Sequence, residues 1–285
     1  MKENKSIEIP KALVWESWLN VRRNAGAAGI DGQSIADFEG KLGKELYKLW
    51  NRLSSGSYFP PPVKAVEIPK RSGGIRVLGI PAVADRVGQT VIKSLIEPRL
   101  ETIFDVDSYG YRPGRSAHDA LSVTRKRCWK YDWVLEYDIK GLFDNISHEL
   151  LLKAVRTHVK ENWIVMYIER WLTAPMVLAD GTKVDRIKGT PQGGVVSPVL
   201  SNLFLHYTID VWARRELAEI PFCRYCDDGL FHCTSEDQAK QVLAMLAERL
   251  KHCGLDIHPD KTRIVYCRDD KRKLRHETRT SSSWG

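Results

Sequence analysis

Pro221-Phe222-Cys223-Arg224-Tyr225-Cys226-Asp227-Asp228-Gly229-Leu230-Phe231-His232-Cys233 decides how this chain is read. Two largely apolar runs flank a pair of adjacent carboxylates, the pattern of strand, acidic turn and strand. Neighbouring carboxylates repel each other, and that repulsion costs stability unless a cation offsets it. Hard divalent cations such as Mg²⁺ take carboxylate oxygens and also bind phosphates. A solvated Asp-Asp turn is the plainer alternative, because turns favour Asp.

Working outward, residues 133–139 (WVLEYDI) read as a buried strand that ends in Asp138. A strand-end carboxylate beside a hairpin-tip pair can hold two cations about 3.5–4 Å apart, the arrangement used for in-line nucleotidyl transfer. Taken alone, Asp138 is as well explained as a strand-end cap. Nothing in the spacing brings the two segments together.

The rest of the chain reads as alternating short elements. Apolar positions Phe38, Leu42, Leu46, Leu49, Trp50 and Leu53 recur at helical spacing, up to the break at Pro60-Pro61-Pro62. Strands are predicted at 63–68 and 75–80 around Gly73-Gly74, and a helix at 84–100. Another helix follows the loop at 105–116 and runs to about residue 130. Ser147 caps a further helix. Asp180-Gly181 predicts a hairpin. Helices at 196–214 and 238–252 and a last strand at 262–267 complete the reading.

Composition narrows the function classes. The chain has 285 residues with 44 Lys and Arg against 36 Asp and Glu, a net charge of +8 that suits a polyanionic partner. Its 43% hydrophobic and 9% aromatic content exclude general disorder. No apolar run is long enough to span a membrane, and no signal peptide is recognisable, so a cytoplasmic protein is expected. Six scattered cysteines predict free thiols rather than a disulfide scaffold. Cys223 and Cys226 alone supply only half of a zinc site.

Tyr137-Asp138-Ile139-Lys140-Gly141-Leu142-Phe143-Asp144 and Tyr225-Cys226-Asp227-Asp228 together resemble the two catalytic motifs of reverse transcriptases. The chain is most similar to the group II intron reverse transcriptase (maturase) family. Supporting blocks lie in the family's order: GAAGIDG at 26–32, IPKRSGGIRVLGIP at 68–81, SYGYRPGRSAHDAL at 108–121, GTPQGGVVSPVLSNLFLHYTID at 189–210 and GLDIHPDKTRI at 254–264. The resemblance implies an α+β fold of right-hand polymerase type without a thumb. An N-terminal extension would span 1–24, fingers 25–130 and a palm 131–267. The palm would hold an antiparallel sheet with helices on one face.

The resemblance also implies roles. Asp138, Asp227 and Asp228 would be the catalytic, Mg²⁺-binding triad (Mn²⁺ as a substitute), with the Ile139 carbonyl as a further ligand. Lys261 would protonate departing pyrophosphate. Lys70, Arg76 and Gln192 would contact the dNTP, and Phe143 would exclude a ribose 2′-hydroxyl. Arg112, Arg115, Tyr111 and Gly193 would lie along template and primer. Each has a plainer reading as a basic hairpin, a turn or a core aromatic. Cys226 departs from the family's usual Ala, and Cys is small enough to replace it.

The implied activity is RNA-directed DNA synthesis on an RNA template (intron RNA), with a DNA or RNA primer and dNTPs. The competing expectation is a truncated, weakly active or inactive RNA-binding remnant. An RNA-dependent RNA polymerase is a third reading, which the aromatic Phe143 argues against. Residues 268–285 carry almost nothing to bury and are expected to be a disordered or out-of-frame tail. The family's Phe-Leu-Gly block is replaced there by Ser-Ser-Ser-Trp-Gly, whose codons can spell Phe-Leu-Gly in a shifted frame.

Overall fold

The computed structural model describes residues 7–69 and 73–267. Lys70 and the tail expected at 268–285 lie outside the described residues. Two compact units are present, and the chain enters each twice. One comprises the described residues of 1–100 and 151–200, the other those of 101–150 and 201–285. Each unit is assembled from two separate stretches of the chain.

The first unit begins with α1 (Lys11–Asn24), α2 (Ile35–Glu39) and α3 (Leu42–Ser54). Ser34 caps α2 in a reciprocal pair with Asp37, satisfying two orphan N–H groups. The helical pattern from Phe38 to Leu53 is therefore split at Gly40-Lys41, yet Phe38, Leu49 and Leu53 all reach the core. Strands β1 (Val63–Pro69) and β2 (Ile75–Ile80) form the expected antiparallel hairpin. Short strands β4 (Met176–Val177) and β5 (Lys183–Val184) extend it to a four-stranded sheet of order β2-β1-β4-β5.

Helix α4 (Val83–Glu101) is the spine of this unit, with Val87, Val91, Ile92 and Ile96 fully buried. Helix α8 (Asn162–Thr173) has no counterpart among the predicted elements. Its Ile164, Val165, Ile168, Trp171 and Leu172 are buried at helical spacing. Its β-branched and aromatic residues are poor helix formers, so packing decides its conformation.

The second unit is built on an antiparallel sheet of order β6-β7-β3-β8. These are β3 (Trp133–Asp138), β6 (Phe222–Tyr225), β7 (Asp228–Cys233) and β8 (Arg263–Tyr266). Helices α5 (Ala117–Cys128) and α11 (Glu236–His252) carry Ser116 and Ser235 as caps. Helix α7 (His148–His158) follows Ser147, whose hydroxyl accepts from Leu150 N.

Helices cover both faces of this sheet, not one as expected. Consecutive residues of a strand face opposite ways, yet Cys223 and Arg224 are both fully buried. Cys223 Sγ meets Ala120 O of α5 at 3.8 Å. Arg224, on the other face, reaches Asp210. The run predicted as one helix at 196–214 is α9 (Ser197–Leu205), a π-helical turn (His206–Asp210) and α10 (Val211–Glu216). Arg249 of α11 donates to the carbonyls of Tyr207 and Thr208 in that turn, which puts α11 on the same side as Asp210.

Candidate active site

Strand register brings the carboxylates of the second unit together. Asp138 ends β3 directly opposite Asp228, the first residue of β7, and Tyr225 faces Asp228 from β6. The sequence leaves the two segments unconnected; the β3–β7 ladder joins them from Trp133↔Cys233 to Asp138↔Asp228. Asp227 sits between β6 and β7 in a turn tightened by Cys226, whose φ is 58°. A left-handed backbone at a residue with a Cβ is uncommon and strained, and such strain clusters at functional sites.

The segment after α11 is laced to the end of β3. Lys140 N donates to Asp256 O, Ile139 bridges to Ile257, and His258 N donates to Asp138 O at 2.8 Å. These bonds set the 3₁₀ turn Pro259–Lys261 beside the carboxylates. Lys261 Nζ then donates to Asp138 Oδ2 at 2.6 Å. That bond, with the nearby Asp228 and Asp227 charges, holds the Lys261 pKa above its ordinary value.

Asp228 shows the cost of gathering these charges. Partial desolvation, reinforced by Asp227 and Asp138, pushes its carboxyl up to about 7, against the opposing pull of Lys261. One ammonium does not neutralise three carboxylates. The donor set is all oxygen, which suits a hard divalent cation. Among the described residues no three His, Cys, Asp or Glu side chains already converge as ligands, and the Lys261 ammonium pairs with Asp138.

Around the carboxylates, Phe143 is buried in the short helix α6 (Leu142–Asn145), with the Tyr111 ring edge-on at 6.2 Å. Ile139 is buried. Tyr111 hydrogen-bonds the Cys226 thiol. Burial pushes Cys226 up to about 12 and Cys223 up to about 11, so both thiols stay protonated and unreactive at neutral pH. Gly110 packs flat on Cys226, where a Cβ would overlap the sulfur.

Arg112 is largely buried and serves its own loop, pairing with Glu101 and donating to the carbonyls of Asp105 and Ser108. Arg115 is exposed, stacked over Tyr109 at 5.4 Å, and donates to Val106 O.

The remaining candidates share a second cluster, inside the first unit. Gly79 N on β2 donates to Gln192 O at 2.8 Å, and Arg76 Nε donates to Gln192 Oε1 at 2.5 Å. Gly193 has φ 116°, and a Cβ there would lie 2.7 Å from Gly79 O, so this loop needs glycine on both counts. The loop's far end is anchored by Gln89 of α4, whose Oε1 accepts from Val195 N (2.8 Å) and Val196 N (3.3 Å). Gln89 Nε2 in turn donates to the buried Asp85, which also accepts from Trp171 Nε1 (2.6 Å) and Tyr58 OH (2.9 Å). Burial pushes Asp85 up to about 6 against those hydrogen bonds.

Asp85, Gln89, Asn202, Asp210 and Arg224 also hold these loops, and no catalytic motif in the sequence marks them. The one available signal was a polar or charged residue inside an apolar run, as at Arg224 between Cys223 and Tyr225.

The profile of the family described as reverse transcriptase (RNA-dependent DNA polymerase) matches residues 68–281. Protein YkfC of Escherichia coli (strain K12) is 36% identical over 189 residues, 65% of this chain and 49% of that protein. The group II intron-encoded protein LtrA of Lactococcus lactis subsp. cremoris is 33% identical over 195 residues, 68% of this chain and 32% of that protein. The chain thus matches half or less of the length of these relatives. A telomerase from Candida albicans, solved with a fragment of telomeric RNA, shares the fold with a TM-score of 0.59 at 13% identity, covering 85% of this chain and 47% of that one. Because the matched span runs through both strands of the acidic hairpin and most of the chain, this protein belongs to the reverse transcriptase family and is related to group II intron-encoded proteins.

Proposed function

We propose that this chain catalyses RNA-templated DNA synthesis, with Asp138, Asp227 and Asp228 as its catalytic carboxylates. The observation that carries the proposal is the register pairing of Asp138 with Asp228, which turns two distant motifs into one acidic centre. Asp138, Asp227 and Asp228, with the Ile139 carbonyl, would hold Mg²⁺ ions. Held there, Mg²⁺ would supply Lewis-acid activation for a primer 3′-hydroxyl and charge stabilisation for the oxygens leaving the dNTP α-phosphate. Lys261, kept charged by its carboxylate neighbours, donates a proton to the departing pyrophosphate.

In this reading Phe143, backed by Tyr111, closes the space that a ribose 2′-hydroxyl would need, and so selects deoxynucleotides. Arg76, with its charge beside Gln192, contacts the triphosphate, and Lys70 shares that role. Gly193 permits close backbone approach to the nucleotide and template base. The segments 25–130 and 131–267 serve as fingers and palm. Arg115 and the net positive charge of +8 bind the template–primer, intron RNA being the natural template class, through salt-sensitive phosphate contacts.

Primer extension on an RNA template with Mg²⁺ and dNTPs tests the proposal, with Asp227→Ala/Asp228→Ala protein as control. Extension by the wild type alone supports it. A folded wild type that binds RNA and extends nothing overturns it. That result favours RNA binding without polymerase output, which the net positive charge of +8 would support.

A further inference from the structure

Arg224 is a fully buried arginine one strand residue before the acidic turn, and the mechanism above does not use it. An arginine offers five N–H donors in a rigid fork. All five are used here. Nε and Nη2 grip the two oxygens of Asp210, each at 2.7 Å, and Nη2 also reaches Ser108 Oγ at 2.8 Å. Nη1 donates to Asn202 Oδ1 at 3.2 Å and to the backbone carbonyl of Cys226 at 3.1 Å. Asn202 passes the constraint on, donating from Nδ2 to Gly110 O at 2.7 Å. Gly110 packs directly on Cys226. The turn that carries Asp227 and Asp228 is therefore held at its carbonyl and against its side chain by one buried cation.

The π-helical turn His206–Asp210 interrupts an otherwise regular helix at the residue that meets Arg224. Such turns are rare and gather at functional sites. A buried ion pair is weak evidence for stability, because apolar residues of similar volume often replace one without loss. Its retention calls for another role.

We propose that Arg224, clamped by Asp210, is the positioning residue of the catalytic turn: it fixes the strained Cys226 carbonyl and so aims Asp227 and Asp228 at their cations. This rests on the polymerase reading above, but it has a readout of its own, the affinity of the acidic centre for Mn²⁺ followed by electron paramagnetic resonance.

The decisive protein is the double variant Arg224→Met/Asp210→Leu, which removes both charges and leaves an apolar interior. A merely structural pair predicts a folded variant with wild-type Mn²⁺ affinity and extension. Positioning predicts a folded variant whose Mn²⁺ affinity and extension kcat each fall by about 10–100-fold, the scale of a lost supporting contact at a metal site. The dNTP KM should change by less than about 3-fold, since ground-state nucleotide binding is not what the turn controls. Asn202→Ala, which leaves the ion pair in place, should weaken Mn²⁺ by a smaller factor. Wild-type Mn²⁺ affinity in either folded variant overturns the inference. Failure of the polymerase reading shows differently, as a wild type that binds Mn²⁺ at Asp227 and Asp228 yet extends no primer.

Discussion

The two units hold their functional loops by opposite electrostatic devices. In the first, the buried carboxylate Asp85 is hydrogen-bonded by the neutral donors Trp171, Tyr58 and Gln89, with the Arg186 charge acting on it more weakly than those bonds, and Gln89 carries the constraint to the backbone at Val195 and Val196. In the second, the buried carboxylate Asp210 faces a full counter-charge, Arg224, which carries the constraint to the Cys226 carbonyl. Desolvation acts on both acids. It wins at Asp85, whose pKa rises to about 6, and is outweighed by Arg224 at Asp210, whose pKa falls. Here the neutral donors orient Asp85 without overcoming its desolvation, whereas the opposite charge in direct contact with Asp210 does overcome it.

The largest expected effect breaks the ion pair on one side. Asp210→Ala leaves a buried, uncompensated guanidinium and should cost about 3–5 kcal/mol in urea unfolding. A loss below about 1 kcal/mol would mean that water or another acceptor replaces the carboxylate, and the contrast with Asp85 would vanish.

The next effect separates the two acids by pH. Asp85 has a folded pKa of about 6 against an ordinary value of 3.8, so the folded state keeps a proton that the unfolded state has released. Stability from this group therefore falls as pH rises from about 4 to about 6 and is level above that. Relative to non-titrating Asp85→Asn, wild type should lose about 2 kcal/mol across that window. Asp210 behaves in the opposite sense. Its lowered pKa contributes stability at neutral pH that is lost only as pH falls below the ordinary carboxylate range. Urea titrations of Asp85→Asn and wild type from pH 4 to 7 read the first slope; parallel curves would contradict it.

Of similar size is Gln89→Leu. It keeps the volume but removes the acceptor for Val195 N and Val196 N, at a cost of about 1–3 kcal/mol. Faster amide hydrogen exchange at Val195 and Val196, with α4 unaffected, is the expected signature. Uniform exchange across the unit would instead mean that Gln89 supports the whole core.

Least of all should be the stability change in Lys261→Met. Its side chain is 57% exposed, and exposed ion pairs contribute roughly 0–1 kcal/mol. The same variant should lower primer extension with little change in thermal midpoint. If both fall together, Lys261 is a structural tether for Asp138.

Much of this molecule was legible before its structure. The hairpin at Gly73-Gly74, the cap Ser147 and the strands on either side of Asp227 follow from period and turn chemistry within a few residues. Helix α8 is ambiguous in the sequence: Ile164, Val165, Ile168, Trp171 and Leu172 recur at helical spacing, but its β-branched and aromatic residues also suit a strand, and the core around Tyr167 and Trp171 selects the helix. In the candidate site, the acidic residues announced themselves because adjacent carboxylates are conspicuous between apolar strands. Arg224 and Gln89 did not, because their partners lie far along the chain: Asp210 is 14 residues from Arg224, and Val195 is 106 residues from Gln89.

The sequence by itself determined which residues could do chemistry, where most strands and helices run, and the family to which the chain belongs. Tertiary structure decided that Asp138 faces Asp228, that Lys261 bonds Asp138, that the chain weaves twice through each unit, and that both faces of the acidic sheet are covered. The reason is the range of the forces involved. Backbone periodicity, caps and turns are settled among near neighbours. Strand register, buried ion pairs and desolvated carboxylates exist only once packing has excluded water between segments that the chain order keeps apart.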